Sequence, residues 1–309
     1  MKILITGGLG FVGSSLARKL CKNHEIIIIT KSFKKKNNIK DIQKDVKIEK
    51  VNILNFKKFG RIIEKHKPDT IIHLAGNTSH SLSFESPIKD VNSNSISTLF
   101  ILEKIRELKI RCKFVLGSTF IVIGKPENLP VNEKTKCNPT TIYGANRLAS
   151  EHYCKIYHDV YNLDTRIFRI TNSFGPREQK IASKNAVNFL IYRAFQNKEL
   201  DIYNNGKYFR DFIYIDDVIS GISTILRKGK PGDVYWIASG RKTWFSKFAE
   251  ILQKNTLCKI NYPKTPSYTK KVDVGNFVVD NRKLKKLGWK PKFSTEMGIK
   301  KTLEFFRSD

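Results

Sequence analysis

The sequence lacks the features that define several classes of protein. Its longest aliphatic run, Ile26–Thr30, is far too short to cross a bilayer, and the N-terminus has no long apolar segment of the signal-peptide kind. The five cysteines are odd in number and scattered, with no CxxC or Cys/His spacing, which argues against disulfides and structural zinc. We therefore expect a cytoplasmic protein with no membrane span and no metal site.

Acidic residues are also scarce. The chain has 57 Lys+Arg against 28 Asp+Glu, a formal net charge of +29. Such a balance favours anionic partners such as nucleic acid, an acidic membrane surface or phosphate-bearing small molecules. The basic residues are spread along the chain, however, and the one dense basic run, Lys31–Lys36, has no nucleic-acid-binding motif beside it. We therefore expect no nucleic-acid partner.

Short aliphatic runs alternate with amphipathic stretches over the first 170 residues or so. This alternation indicates βαβ units and a parallel sheet covered on both faces, which is a doubly wound α/β fold. The alternation weakens after Ile170, which predicts a smaller C-terminal lobe. The strand-like runs are Lys2–Thr6, Glu25–Thr30, Val46–Val51, Thr70–Ala75, Lys113–Ser118 and Thr165–Ile170.

A glycine-rich turn follows the first strand-like run. Gly7, Gly10 and Gly13 have G-x-x-G-x-x-G spacing and open a helix. Gly7 permits a tight turn, Gly10 lets the backbone approach a pyrophosphate, and Gly13 lets the helix pack close to the strand. With Phe11 and Val12 they form the positive end of that helix, where unpaired N–H groups bind phosphate. This turn predicts binding of NAD or NADP.

The second strand-like run does not settle which dinucleotide binds. NAD-binding proteins usually have an Asp or Glu there for the adenosine ribose, but this chain has Thr30, Lys31 and Ser32. Lys31 and Ser32 suit the 2′-phosphate of NADP, whereas a solvated Lys31 is compatible with NAD. Asn52 and Ile53, at the end of the third run, are expected near the adenine.

Four motifs follow one another in a diagnostic order. They are the glycine turn, "DTIIHLAG" (Asp69–Gly76), "GST" (Gly117–Thr119) and "YGANR" (Tyr143–Arg147). This order resembles the extended short-chain dehydrogenase/reductase family, in its nucleotide-sugar epimerase/dehydratase branch. "FRITNSFGPRE" (Phe168–Glu178) and "RDFIYIDDV" (Arg210–Val218) resemble that branch's nucleotide-sugar signatures. The resemblance covers nearly the whole chain and implies a nucleoside-diphosphate sugar as partner and a homodimer.

The resemblance also implies roles for three residues. Tyr143 is the expected general acid/base, Thr119 the expected hydrogen-bond partner of the reacting oxygen, and Arg147 the cation beside them. A free tyrosine, with a pKa of about 10, is too weak an acid for this work. A cation 4 Å away stabilises its phenolate by about 4 kcal/mol at an effective dielectric of about 20, before desolvation. Tyr143 and Arg147 are four residues apart, on one face of a helix.

Arg147 departs from the family, which has lysine at this position. Guanidinium is always charged and presents a rigid fork of donors, so it can hold ribose hydroxyls and lower a tyrosine pKa. It cannot easily release a proton, so a relay through this position is lost. We expect altered activity, with a catalytically impaired nucleotide-sugar-binding protein as the alternative. Ile123 also replaces the tyrosine of the family's "VYG".

The residues after Thr119 narrow the reaction. Phe120 and Ile121 stand where the branch's 4,6-dehydratases have Asp-Glu for the elimination of water. We therefore do not expect dehydration. The resemblance leaves epimerisation at C4 through a transient 4-keto sugar as the leading hypothesis, and NADPH-dependent reduction of a 4-keto sugar as the alternative.

The resemblance also predicts two domains and the remaining binding residues. A Rossmann domain is expected at 1–171, with 207–228 returning to it, and a mainly substrate-binding lobe at 172–309. The further cofactor-binding residues are Leu74, Ala75, Gly76 and Asn92, and the further substrate-binding residues are Asn172, Arg210 and Lys270.

Overall fold

A seven-stranded parallel sheet forms the centre of the molecule. A computed structural model describes residues 1–178, 180–181, 185–266 and 272–308, except the side chain of His80. The strands are β1 (Lys2–Thr6), β2 (Glu25–Thr30), β3 (Val46–Lys50), β4 (Thr70–His73), β5 (Lys113–Thr119), β6 (Thr165–Ile170), β7 (Asn172–Phe174), β8 (Leu200–Asp201), β9 (Phe209–Arg210), β10 (Phe212–Tyr214), β11 (Val234–Ile237), β12 (Thr243–Trp244) and β13 (Ile260–Asn261). The large sheet has the order β11-β6-β5-β4-β1-β2-β3.

Helices cover both faces of this sheet. On one face α1 packs against α8, and on the other α5 packs against α2 and α6. The described helices are α1 (Phe11–Leu20), α2 (Phe56–His66), α3 (His80–Glu85), α4 (Pro87–Val91), α5 (Ser97–Glu107), α6 (Ile142–Tyr161), α7 (Ala186–Phe195), α8 (Ile215–Lys228), α9 (Phe245–Asn255), α10 (Arg282–Lys286) and α11 (Thr295–Ser308). A π-helical turn, Asn92–Ile96, joins α4 to α5.

The predicted doubly wound α/β fold is confirmed. All six predicted runs form adjacent parallel strands, because aliphatic side chains fill both faces of each central strand. In β1, for example, Leu4 and Ile5 point to opposite faces and both are fully buried. The seventh strand, β11, was not predicted, since its four residues follow a turn and are too few to show a pattern.

The C-terminal half of the chain contributes to both lobes. Within the segment 207–228 that was expected to return, helix α8 packs on α1 beside the large sheet, whereas β9 and β10 pair outside that sheet. The return extends further, because β11 pairs in parallel with β6 at the edge of the same sheet. The rest of the C-terminal half forms a second lobe of two-stranded pairs, β10-β7, β12-β9 and β13-β8, with α7, α9 and α11 packed together. None of the described helices is long and apolar enough to cross a membrane.

A buried carboxylate ties the second lobe to the sheet. Asp211, between β9 and β10, is fully buried. Its Oδ1 accepts the backbone N–H and the hydroxyl of Ser239 at 2.8 and 2.7 Å. Its Oδ2 accepts the backbone N–H groups of Gly240 and Val279 at 3.0 and 3.3 Å. The Asp211 side chain, next to Arg210 in the sequence, therefore fixes both the backbone just after β11 and the backbone at Val279.

We expect Asp211→Asn to lower the free energy of unfolding by about 1–3 kcal/mol, since an amide N–H then faces backbone donors in a buried site. Urea denaturation followed by circular dichroism measures the change. Asp201→Asn, at an exposed position in β8, is the matched control and should leave stability unchanged. Equal stability of the two variants would contradict a structural role for Asp211.

Candidate active site

The glycine-rich turn is built for close approach of a ligand. Gly7 has φ 71°, in the left-handed region, and a Cβ there would lie 3.0 Å from the backbone nitrogen of Ala75. A Cβ on Gly13 would overlap the carbonyl oxygen of Gly7. A Cβ on Gly10 would meet only that same oxygen, at 3.1 Å. Gly7 therefore lets the chain after β4 come close and Gly13 serves the packing of α1, whereas Gly10 leaves open space at the start of the helix, beside Phe11 and Val12.

The end of β4 lies directly beside this turn. The hydroxyl of Thr6 accepts the backbone N–H groups of Leu74 and Ala75 at 3.2 and 3.1 Å. The structure thus brings Leu74, Ala75 and Gly76, which were predicted to bind the cofactor, next to the glycine turn. His73 is fully buried, within hydrogen-bond distance of Thr6, and burial lowers its pKa to about 3. Its ring is therefore neutral and structural.

The ends of β2 and β3 lie side by side at the same edge. Val51 donates its backbone N–H to the carbonyl of Thr30, and the Thr30 hydroxyl donates to the carbonyl of Ser32. Lys31 is exposed, and among the described residues no hydrogen bond or ion pair holds it. Asn52 is exposed and its side chain accepts the backbone N–H of Leu54, while Ile53 is buried. No carboxylate follows β2, so both dinucleotides remain compatible with this edge.

Tyr143 and Thr119 meet where β5 ends and α6 begins. Both side chains are buried, and a hydrogen bond joins them. The Thr141 hydroxyl caps α6 by accepting the backbone N–H of Gly144 at 3.0 Å. A Cβ on Gly144 would lie 3.0 Å from the carbonyl oxygen of Ile121, so the glycine lets the helix start against the residues after Thr119. These contacts fix the position of Tyr143.

The pKa of Tyr143 is set by opposing effects. Burial raises it above the ordinary value, and this is the largest effect. The Arg147 guanidinium and the hydrogen bond from Thr119 act in the opposite direction. The expectation that Arg147 lowers the tyrosine pKa is thus correct in direction, but burial outweighs it.

Arg147 is buried, with 4% of its surface exposed. Within the described part of the chain, no hydrogen bond or ion pair holds its guanidinium, and its Nε is buried without a partner. The Nη1 atom lies 3.6 Å from where a Cβ on Gly76 would be, so the cation faces the end of β4. A buried, unpaired cation of this kind requires a ligand to complete its hydrogen bonds.

The structure favours Asn94 over Asn92 as the polar residue at this position. The side chain of Asn92 is exposed, whereas Asn94, two residues later, is fully buried and lies against Gly76. Its Oδ1 has no hydrogen-bond partner. The resemblance was carried to Asn92. Both residues lie in the π-helical turn Asn92–Ile96, whose geometry is not visible in the sequence.

A network of buried charged and polar side chains lies behind Thr119 and Arg147. Ser118, next to Thr119, donates its hydroxyl to Glu151 at 2.5 Å. Glu151 also forms a buried ion pair with Arg169, at 2.6 Å. Glu151 lies one turn after Arg147 on α6, so the network joins β5, β6 and α6 without using the guanidinium of Arg147. Sequence reasoning missed this network, since its partners lie far apart in the chain.

The predicted substrate residues lie on the second lobe and at its border. Asn172 begins β7, and its side-chain nitrogen is buried without a partner. Arg210 is buried and forms an ion pair with Asp273 at 2.5 Å, not with Asp211 or Asp217, which are closer in the sequence. Lys270 lies outside the described residues.

These residues fit a nicotinamide dinucleotide. Gly10 leaves the start of α1 open, and two buried polar atoms, on Asn94 and Arg147, lack protein partners. Their chemistry is that of a site for hydroxyls and phosphates. Among the described residues no cluster of three or more His, Cys, Asp and Glu side chains could hold a metal ion.

Fold and site together define a Rossmann-type dehydrogenase/reductase with a Tyr–cation pair. Comparison with known proteins gives the same class. A family model described as GDP-mannose 4,6 dehydratase matches residues 4–302. The dTDP-D-glucose 4,6-dehydratase of Dictyostelium discoideum is 37% identical over 258 residues, which are 77% of this chain and 58% of that protein. The chain thus spans less than two thirds of that relative's length.

Solved structures agree with this class over the whole chain. The UDP-glucose 4-epimerase of Thermotoga maritima, solved with UDP-glucose, has a TM-score of 0.91 at 29% identity and covers 100% of this chain and 99% of its own. The UDP-glucuronic acid 4-epimerase of Bacillus cereus, solved with UDP-glucuronic acid and NAD, has a TM-score of 0.88 at 26% identity, with coverages of 100% and 99%. The chain belongs to the NAD(P)-dependent nucleotide-sugar epimerase/dehydratase branch of the extended short-chain dehydrogenase/reductase family. The predicted family and its cofactor class, NAD or NADP, are confirmed.

Two glycine variants separate packing from ligand approach. We expect Gly10→Ala to keep the melting temperature within a few degrees but to weaken NAD+ binding at least about tenfold, because the new methyl group occupies ligand space. Gly13→Ala should lower stability by about 2 kcal/mol or more, since its methyl group overlaps the Gly7 carbonyl. Thermal denaturation and calorimetric titration with NAD+ measure the two effects. Tight NAD+ binding by Gly10→Ala would contradict the assignment.

Arg147 variants test its charge. We expect Arg147→Met to raise the pKa of Tyr143, because the variant removes the positive charge that lowers this pKa. If Tyr143 acts as a base, the acid limb of the pH–rate profile then moves to higher pH, and the rate at pH 7 falls about 100-fold. Arg147→Lys keeps the charge and should retain activity within about tenfold. Identical profiles for Arg147→Met and the unmodified protein would exclude this role.

Proposed function

We propose that the protein epimerises C4 of a nucleoside-diphosphate sugar through a transient 4-keto sugar. The observation that carries this proposal is the apolar character of the residues after Thr119. Phe120 packs edge-on against Phe277 with ring centroids 5.2 Å apart, and Ile121 is buried. This wall offers no carboxylate for removing water from the sugar, so it favours return of the hydride to C4 over elimination.

The residues have distinct tasks in this reaction. The bound nicotinamide supplies the capacity to accept a hydride and return it. Tyr143 takes the proton of the C4 hydroxyl as C4 becomes a carbonyl and gives it back when C4 is reduced on the other face. Thr119 orients the reacting oxygen, and the positive charge of Arg147 stabilises the phenolate of Tyr143. The Phe120–Ile121 wall keeps water from the keto sugar.

Asn172 and Arg210 are proposed to hold the diphosphate of the substrate. The unpartnered side-chain nitrogen of Asn172 is a donor ready for a phosphate oxygen. Arg210 has a guanidinium suited to phosphate, and its Nη2 contacts Asp273, which is partly exposed. A diphosphate would therefore have to share Arg210 with Asp273.

Two other reactions have an observation in their favour. The Dictyostelium discoideum relative is named as a 4,6-dehydratase at 37% identity, which favours dehydration. The edge formed by Thr30, Lys31 and Ser32 has no carboxylate, which favours NADP and reduction of a 4-keto sugar. All three reactions use the same Tyr143 and differ in the product.

The product of UDP-glucose or dTDP-glucose, read by NMR after incubation with the purified protein, distinguishes these reactions. We expect the C4 epimer, with no net consumption of cofactor. Tyr143→Phe should lower the rate about 10²–10⁴-fold with NAD+ affinity within about threefold. Tyr161→Phe, at the exposed end of the same helix, is the control and should leave the rate unchanged. A 4-keto-6-deoxy product indicates a dehydratase and overturns the proposal, as does net oxidation of NADPH with a 4-keto sugar.

A further inference from the structure

A buried carboxylate lies behind Tyr143 and Arg147 and takes no part in the reaction steps proposed above. Asp90, in α4, has 1% of its surface exposed and accepts three amide N–H groups. Its Oδ1 accepts from the side chains of Asn146, at 2.7 Å, and Asn94, at 3.1 Å. Its Oδ2 accepts from the side chain of Asn77, at 2.7 Å. Three amides converging on one buried acid make a built arrangement, and not a solvated surface charge.

The three amides come from three different elements of the site. Asn77 follows β4 and adjoins Gly76, Asn94 belongs to the π-helical turn, and Asn146 precedes Arg147 on α6. A carboxylate only accepts hydrogen bonds, so it fixes which end of each amide faces it. The nitrogen of Asn94 is turned toward Asp90. Its oxygen is therefore the atom left without a partner, and Asn94 lies against Gly76 together with the guanidinium of Arg147.

The charges of the pocket are also complementary. Within the described residues, the hydrogen-bond partners of the Asp90 carboxylate are neutral amides, and Arg147 has no carboxylate partner. Glu151, a buried acid on α6, forms its ion pair with Arg169. Asp90 and Arg147 are thus two buried charges of opposite sign. Among the described residues, they form an ion pair neither with each other nor with a third charged group.

We propose that Asp90 is the positioning residue of this site. It orients the amides of Asn94 and Asn146 and offsets the charge of Arg147 from a distance. The guanidinium consequently stays free for a ligand and for Tyr143, where a direct ion pair would occupy its donors. The inference rests on the proposed roles of Tyr143 and Arg147, but not on which sugar reaction follows.

The charged groups that act on the Tyr143 hydroxyl are Arg147, on its own helix, and Asp90, on α4. They act with opposite sign: the cation lowers the tyrosine pKa, and the carboxylate raises it. Removing the charge at Asp90 while keeping Arg147 therefore lowers the pKa of Tyr143. A residue that only held the fold together would not produce a change in this direction.

Asp90→Asn is the decisive variant, because it keeps size and removes charge. We expect the dissociation constant for NAD+ to rise about fivefold to tenfold, the effect of about one lost hydrogen bond. We also expect the pKa of Tyr143 to fall. Calorimetric titration with NAD+ measures the first change. Ultraviolet difference titration of tyrosinate, with Tyr143→Phe in the same background as the blank, measures the second, and neither requires turnover.

Two variants serve as controls. Asp159→Asn removes an exposed acid on α6, ion-paired with Lys155 at 3.0 Å, and should change neither quantity. Asn146→Ala keeps the carboxylate and removes one of its donors, so it should weaken NAD+ binding without lowering the pKa of Tyr143. If Asp90→Asn only matches Asn146→Ala, with no fall in that pKa, Asp90 is structural and the proposal is wrong.

A failure of Asp90→Asn to fold leaves a second test. Asn94→Ala keeps the carboxylate and removes the amide that Asp90 orients. We expect it to raise the dissociation constant for NAD+ about fivefold to tenfold, with the pKa of Tyr143 unchanged. Unchanged NAD+ affinity would overturn the proposal. Both readouts are independent of the sugar product, so a failure of the epimerase assignment would leave them interpretable.

Discussion

The buried, unpaired charge of Arg147 is the constraint on which the rest of the site depends. Burying a charge without a partner is costly, and it persists only where the surrounding structure is firmly held. Here the surroundings are held by the cap of Thr141 on α6, by the close contact at Gly144, and by the Glu151–Arg169 ion pair one turn along the helix. The protein fold thus carries a site that a ligand completes. This is the electrostatic preorganisation on which enzymes of this chemistry rely.

Arginine in place of lysine gives this charge a particular character. A lysine beside a tyrosine exchanges protons at high pH, whereas the guanidinium stays charged, so its effect on Tyr143 does not weaken as the pH rises. The same property prevents Arg147 from passing the proton of Tyr143 onward. In the proposed epimerisation this is no obstacle, because Tyr143 returns the proton to the same oxygen and none has to leave the site. Burial, which raises the pKa of Tyr143, works against ionisation, and this makes the fixed charge more important than it would be at the surface.

Much of the fold follows from the sequence, since the runs of Ile, Val and Leu in the central strands are buried on both faces and leave little choice of structure. The glycine turn and the Tyr143–Arg147 spacing are equally local, and the sequence suffices for both. Asp90 could not be recognised as a buried site residue from the sequence. An acidic residue in a polar stretch is expected at the surface, and its partner Asn146 is 56 residues away. Asn94 was missed because the resemblance was carried to Asn92, and the π-helical turn that contains both residues is not visible in the sequence. Arg210 meets Asp273 across 63 residues, so its partner was equally hidden.

Epimerisation and dehydration share their first step and diverge according to what lies beyond Thr119. In both, the loss of hydride from C4 makes the neighbouring C–H bond acidic. A carboxylate placed beside it can then remove that proton and expel water. In this protein the residues after Thr119 are Phe120 and Ile121, and Phe120 packs against Phe277. In the proposed reaction, a keto sugar beside this apolar wall has no base for elimination, so the hydride returns to C4. On this proposal the product depends less on Tyr143 and Arg147, which each of these reactions would use, than on the apolar residues after Thr119.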